Sequence, residues 1–145
     1  MIFKVNVEGI PASKGSYRPV NGRTKTGRRV TRLIPMDKKE KPWRDSIVKA
    51  VQATDKWRQF REQSEGKGLY VSYDFRLPKP KTVSRYQPTV KPDIDKLVRC
   101  VNDALTDSAV IEDDSRIVGI LAEKRYAENG NEGVTIYIQI EDNGE

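Results

Sequence analysis

The chain has 145 residues, of which 33% are charged and 36% hydrophobic, and its 27 basic and 21 acidic residues give a net charge of +6. This length suits one domain, residues 1–145, and the positive charge favours polyanionic partners, nucleic acid before an anionic membrane. The chain has no histidine and one cysteine, Cys100, which excludes serine–histidine catalysis, histidine-ligated zinc and an internal disulfide. No apolar run approaches the ~20 residues of a membrane span, and we expect a cytoplasmic protein.

The first part of the chain has a strand pattern followed by helical patterns. Apolar and polar residues alternate over Met1–Val7, which predicts a strand, and residues 9–16 are predicted to form a loop. Asp37 is predicted to cap a helix of about 15 residues, which is extended by a further turn or followed by a short second helix. The apolar positions of these helical patterns are Trp43, Ile47, Ala50, Val51, Trp57 and Phe60.

All the charged residues between positions 18 and 32 are basic. This run contains six basic residues and no acidic residue, and Gly22 and Gly27 disfavour a helix there. A solvated surface usually mixes charge signs, so this run predicts an arm or hairpin that contacts phosphates. The DNA-contacting candidates here, with one from the preceding loop, are Lys14, Arg18, Arg23, Arg28 and Arg29.

The second part of the chain alternates strand and helix patterns. Its one long irregular stretch, residues 78–92, is rich in proline and basic residues and is predicted to be an extended loop. With the first part of the chain, these patterns predict an α+β fold in which a small mixed β-sheet of about four strands packs against two main helices. The predicted elements are strands over 69–77, 117–124 and 134–140, a helix over about 93–107, a hairpin turn at 129–131 and a frayed tail at 141–145.

The stretch 91–116 concentrates acidic residues in a basic chain. Its seven carboxylates include Asp93 and Asp95 at the predicted start of the helix, and Asp113 and Asp114 before the next strand. Mg²⁺ prefers oxygen ligands and keeps several waters, so two or three carboxylates suffice when a substrate phosphate completes the shell. We therefore predict a metal site formed by Asp93, Asp95 and Asp114, or Asp113 in its place. The alternative is that the aspartates are helix caps and first-turn residues.

These carboxylates and the surrounding cations favour metal-assisted phosphodiester hydrolysis. Arg99, one helical turn after Asp95, would stabilise charge that develops on the phosphoryl oxygens, but a guanidinium does not release a proton near neutral pH. Lys96 and Lys124 are the candidates for a general acid. Together with Lys91, they are also the DNA-contacting candidates nearest the acidic stretch.

The run Lys91-Pro92-Asp93-Ile94-Asp95-Lys96-Leu97, with 102–105 and 113–118 after it, closely resembles the RusA family of Holliday-junction resolvases. The resemblance implies a homodimeric α+β nuclease that nicks four-way DNA junctions with Mg²⁺ or Mn²⁺. It places the family's metal-binding aspartates on Asp93, Asp95 and Asp114. The family's catalytic lysine falls on Arg99, a departure that retains the charge and removes a proton donor.

The predicted function is a metal-dependent, structure-selective endodeoxyribonuclease that resolves Holliday junctions by paired symmetric nicks in recombination and repair. Neither a small-molecule cofactor nor a membrane partner is expected. Two alternatives stay open from the sequence. One is a non-catalytic basic module that binds nucleic acid, and the other is a nuclease of other branched DNA or of RNA.

Overall fold

A computed structural model describes residues 1–15, 17–35 and 38–141. These residues form two sheets and three α-helices, and a short 3-10 turn at Asp114–Arg116 precedes the fifth strand. The strands are β1 (Ile2–Glu8), β2 (Tyr17–Arg23), β3 (Arg29–Pro35), β4 (Leu69–Leu77), β5 (Ile117–Tyr126) and β6 (Gly133–Ile140), and the helices are α1 (Glu40–Gln52), α2 (Trp57–Gln63) and α3 (Ile94–Ser108).

The main sheet has four strands in the order β1-β6-β4-β5. Strand β6 pairs antiparallel with both β1 and β4, whereas β5 pairs parallel with β4. A parallel pair needs a crossover connection, and α3 provides it by running back against the direction of the two strands. The sheet is therefore mixed, as predicted, and α3 begins near the carboxyl end of β4 and β5.

The core lies between one face of this sheet and the helices. Alternate residues of β1, β4 and β6 point to this face, where they pack with the apolar stripes of α1 and α3. Cys100 is fully buried on α3, as its position beside the apolar stripe predicts. The largest core side chains that are fully buried include Phe60, Tyr73, Phe75, Ile47, Leu97, Ile136 and Ile138.

The other face of the sheet is not covered by any element of the described chain, and it is polar at one end and apolar at the other. At the polar end Arg76 is only 7% exposed. Its Nε donates to the Asn131 carbonyl at 2.7 Å, its Nη1 to Thr135 Oγ1 at 2.8 Å and its Nη2 to Asn6 Oδ1 at 2.7 Å. These bonds join β4 to β6, to the turn before it and to β1. The exposed apolar side chains at the other end are Ile2, Tyr70, Leu121 and Tyr137.

The predicted order of elements is confirmed, with some shifts in their bounds. The basic run forms the β2–β3 hairpin, and Trp57 begins a separate short helix. Strand β5 continues past its predicted end to Tyr126. The predicted cap at Asp37 and residues 142–145 of the predicted tail lie outside the described residues. No helix in the described part of the chain is long and apolar enough to cross a membrane.

Gly133 begins β6 at a φ of 154°, where its backbone passes close to β1. A Cβ on this residue would collide with the Val7 carbonyl oxygen and stand 3.1 Å from Arg76 Nη2. We therefore expect Gly133→Ala to lower the free energy of unfolding by about 2 kcal/mol or more, measured as a shift of the urea midpoint. Gly22→Ala is the control, because nothing lies within 4 Å of its Cβ position. Equal midpoints for the two variants would contradict the close approach.

Candidate functional site

Asp93 and Asp95 stand together at the start of α3. Asp93 occupies the N-cap position with extended backbone (φ −69°, ψ 139°), and its side chain makes no capping hydrogen bond. Asp95 follows in the first turn, and both side chains are exposed. Neither carboxylate has a hydrogen-bond or ion-pair partner among the described residues. Both are therefore available to a cation from solvent, and the extended backbone is the condition for two aspartates so close in sequence to reach one ion.

Lys124 holds the backbone immediately before Asp93. Its Nζ donates hydrogen bonds to the carbonyl oxygens of Val90 at 2.8 Å and Pro92 at 2.9 Å. An ammonium group has three donors, so two of the three serve this loop. The predicted roles of Lys124 in proton donation and DNA contact did not include this anchoring role. The bonds fix where the chain enters α3 and so where the Asp93 carboxylate can stand.

Arg99 is exposed one turn after Asp95 and has no ion-pair partner in the described ranges. The sequence places Asp103 one turn further, but Asp103 pairs instead with Lys14, whose Nζ lies 2.9 Å from its Oδ2. The backbone N–H of Lys14 also donates to the Lys96 carbonyl at 3.0 Å. The loop after β1 is thus bound to α3, and the Arg99 guanidinium is left facing solvent.

Asp113 and Asp114 have different surroundings. Asp113 caps the 3-10 turn and accepts a hydrogen bond from the Ser115 N–H at 3.0 Å. Hydrogen bonds from Ser115 lower the pKa of the Asp113 carboxyl below its usual value. Asp114 lies in the turn itself, and its side chain is exposed. Of the pair, Asp114 is therefore the one whose carboxylate is not used as the cap.

The surroundings of Tyr73 locate Asp114 relative to α3. The Tyr73 hydroxyl is buried and donates to Asn102 Oδ1 at 2.6 Å, two turns beyond Asp95 on the helix. Burial, and then the negative charge of Asp114, raise the pKa of this hydroxyl. The charge of Asp114 thus acts on Tyr73, which lies on the face of the sheet that packs against α3.

No group of three Asp, Glu, His or Cys side chains in residues 1–15, 17–35 and 38–141 is placed to hold one metal ion. The crossover connection explains why Asp114 does not form such a group with Asp93 and Asp95. The start of α3 is bonded to Lys124, near the end of β5, whereas Asp114 precedes the beginning of that strand.

The β2–β3 hairpin presents the basic run. Arg23 and Arg29 pair with each other at its end, and both are exposed together with Arg28 in the turn. The turn is held by the Thr24 N–H, which donates to the Arg28 carbonyl at 2.8 Å. The backbone of Arg18 lies in β2, but its side chain lies outside the described residues. Near α3, Lys91 is exposed and Lys96 is half-buried.

Sequence reasoning missed Tyr86, which is 90% exposed in the loop after β4. Its neighbour Arg85 donates from Nε to the Tyr126 hydroxyl at 2.7 Å, so the loop is attached to β5 beside it. The sequence feature that could have identified Tyr86 is that it is an aromatic residue among the prolines and cations of 78–92. Such a composition usually indicates only a surface connection.

Fold and site together define a small basic α+β protein with two available carboxylates at the start of its crossover helix. The family model of endodeoxyribonuclease RusA matches residues 16–140. The chain therefore belongs to the RusA endodeoxyribonuclease family, which confirms the resemblance seen in the sequence. A search of curated proteins found no match. Family membership implies an endonuclease that resolves Holliday junctions.

Removing the Lys124 ammonium should loosen the start of α3. Lys124→Met deletes both hydrogen bonds to the loop, and we expect faster amide hydrogen exchange at residues 94–97 and a loss of about 1 kcal/mol of stability, since both acceptors are partly solvated. Hydrogen-exchange mass spectrometry measures the first and urea unfolding the second. Lys81→Met, at an exposed lysine of the same loop, is the matched control. Unchanged exchange in the Lys124 variant would show that the bonds do not hold this segment.

Proposed function

We propose that this protein is a metal-dependent, structure-selective endodeoxyribonuclease that resolves four-way DNA junctions by paired symmetric nicks in recombination and repair. The observation that carries the proposal is the pair of exposed, unpartnered carboxylates of Asp93 and Asp95, with the solvent-facing Arg99 one turn away. Membership of the RusA family supports the reaction class and the branched substrate.

The donor set at the start of α3 fits Mg²⁺, with Mn²⁺ as a substitute. Mg²⁺ is commonly bound in proteins by one or two carboxylates, several waters and substrate phosphates. Asp93 and Asp95 would hold the ion with waters and a substrate phosphate. The family resemblance implies Asp114 as a third ligand, but in the described residues Asp114 does not form one metal-holding group with these two aspartates. When bound, the ion would polarise the scissile phosphate and lower the pKa of a bound water.

The remaining roles fall to residues around the two aspartates. Arg99 would stabilise negative charge on the phosphoryl oxygens, and its permanent charge makes it unsuitable as a proton donor. Because two of the Lys124 donors hold the loop, we assign Lys124 to positioning Asp93. Protonation of the leaving oxygen then falls to Lys96 or to solvent.

The exposed cations would supply affinity for the DNA backbone. Arg23, Arg28 and Arg29 extend from the hairpin, and Lys91 precedes the aspartates, so phosphate contacts and cleavage are carried by different residues. Lys14, paired with Asp103, would contribute mainly by holding the first loop on α3. Binding of this kind weakens steeply with salt and does not itself require a divalent ion.

Asp93→Asn and Asp95→Asn should each abolish cleavage and preserve binding. The amide keeps the shape of the side chain and removes the negative charge that a cation needs, so we expect at least a ~100-fold loss of rate. Nicking of a labelled four-way junction with Mg²⁺ measures the first effect, and gel-shift affinity in EDTA the second. Calorimetric titration of Mg²⁺ against the DNA-free protein should show weaker binding by the same variants.

Asp55→Asn, in the exposed segment between α1 and α2, is the control. One contrary result is that the wild type binds junctions and makes no metal-dependent nick under conditions in which a reference nuclease is active. That result would identify the protein as the non-catalytic basic module. A stronger activity on flap DNA or RNA than on junctions would identify the other alternative nuclease.

We further propose that the protein is a homodimer formed through the open face of the sheet. The apolar end of this face has a cavity of about 520 Å³, lined by residues that include Tyr70, Leu121 and Tyr137. Glu8 on β1 and Arg125 on β5 lie in the same row at opposite edges of the sheet. A two-fold axis parallel to the strands would place Glu8 of one copy opposite Arg125 of the other.

Light scattering after gel filtration should therefore give a mass of about twice the 16.5 kDa chain. Leu121 is 64% exposed on this face. Leu121→Asp should shift the protein to the monomer, because a charge cannot be buried unpaired in an apolar contact. Gln59→Asp, on an exposed position of α2, should remain dimeric. A monomeric wild type at micromolar concentration would exclude the dimer.

A further inference from the structure

A second cavity adjoins the candidate metal ligands. It has a volume of about 660 Å³ and lies between the loop after β4 and the carboxyl end of β5. One wall is Ile94, the residue between Asp93 and Asp95. Tyr86 also lines the cavity, and its side chain is the most exposed among the large hydrophobic side chains of the described residues. A ligand in this cavity would therefore contact both an open aromatic ring and the start of α3.

The loop that carries Tyr86 is attached on either side of it. Before Tyr86, the Arg85 guanidinium lies 5.9 Å from the centre of the Tyr126 ring and also donates to its hydroxyl. Further back, Lys79 Nζ stands 5.6 Å from the centre of the same ring. After Tyr86, the Val90 carbonyl is bonded to Lys124. The exposed Tyr86 is thus carried by a segment whose neighbouring residues are held against β5 on both sides.

The charges of the lining indicate what kind of ligand fits. Lys79, Lys124 and Arg125 line the cavity together with Glu123 and Glu128. Two of these cations are already engaged, Lys124 with backbone carbonyls and Arg125 with Asp74 at 2.6 Å. The two carboxylates in the wall, with Asp74 on Arg125, offset the three cations, so the cavity has no excess positive charge that would select a phosphate. They can instead accept hydrogen bonds from the exocyclic amines of a nucleobase.

We propose that this cavity receives one unpaired nucleotide from the branch point of the DNA, with its base stacked on Tyr86. The inference rests on the proposed function and adds to it a contact that selects for structure. Bases at a discontinuity of the duplex are the easiest to unstack, and an aromatic ring accepts any base. The adjoining phosphodiester would then leave the cavity past Ile94, where Asp93 and Asp95 stand.

The test is a cycle that combines a protein change with a DNA change, measured as junction affinity in EDTA so that cleavage plays no part. Tyr86→Ala should weaken binding of a four-way junction roughly tenfold, the usual contribution of one stacked base. Tyr86→Phe should bind as the wild type, since stacking does not need the hydroxyl. An abasic nucleotide is then moved through the positions that flank the branch point. At one of these positions the abasic nucleotide should lower the junction affinity of the wild type by the same tenfold. It should not lower the affinity of Tyr86→Ala any further.

Thr82→Ala, at an exposed position of the same loop outside the cavity, is the control and should bind as the wild type. Tyr86→Ala should also keep the wild-type urea midpoint, because the side chain is 90% exposed. The inference would be overturned if Tyr86→Ala bound the junction as tightly as the wild type. It would also be overturned if Tyr86→Ala weakened binding to the abasic and to the intact junction by the same factor. Either result would leave the proposed function standing. Failure of the wild type to bind any junction would overturn both.

Discussion

The parallel pairing of β4 and β5 is the constraint on which the site depends. Two parallel neighbours require a crossover, and the crossover helix α3 must begin where β4 and β5 end. This brings the first turn of α3, with Asp93 and Asp95, beside Lys124 and the loop after β4. The same constraint places Asp114 before the opposite end of β5. The topology thus decides which of the acidic residues are neighbours.

Charge in this protein is divided between engaged and available groups. Lys14, Lys124 and Arg125 are held by Asp103, by backbone carbonyls and by Asp74. Asp93, Asp95 and Arg99 have no such partner among the described residues. Side chains that are tied down support the backbone, and those left available are the ones a substrate or an ion can recruit. Two available carboxylates and an available guanidinium lie together at the first two turns of α3.

Local patterns in the sequence were sufficient to predict most of the fold. The alternation in 69–77 and 134–140 and the apolar stripe of 93–107 each depend on neighbours in sequence, and the structure has the corresponding elements. The clustering of three aspartates depended on distances between α3 and the turn before β5, which no periodicity encodes. The hydrogen bonds from Lys124 to backbone carbonyls were not predicted. Nothing in the sequence distinguishes a lysine in a strand that binds carbonyl oxygens from one that faces solvent. Tyr86 was missed because exposure, its informative property, exists only in the folded chain.

Arg76 bears on how much of the chain makes up the domain. The family match begins at residue 16, after β1 has ended. Yet the Arg76 guanidinium, a charge that cannot be neutralised by losing a proton, relies on Asn6 of β1 for one of its three bonds. A truncation that followed the family boundary would strip β6 of its edge partner and open a buried cation to water on one side. The amino-terminal strand is therefore integral to the domain, although the family boundary leaves it out.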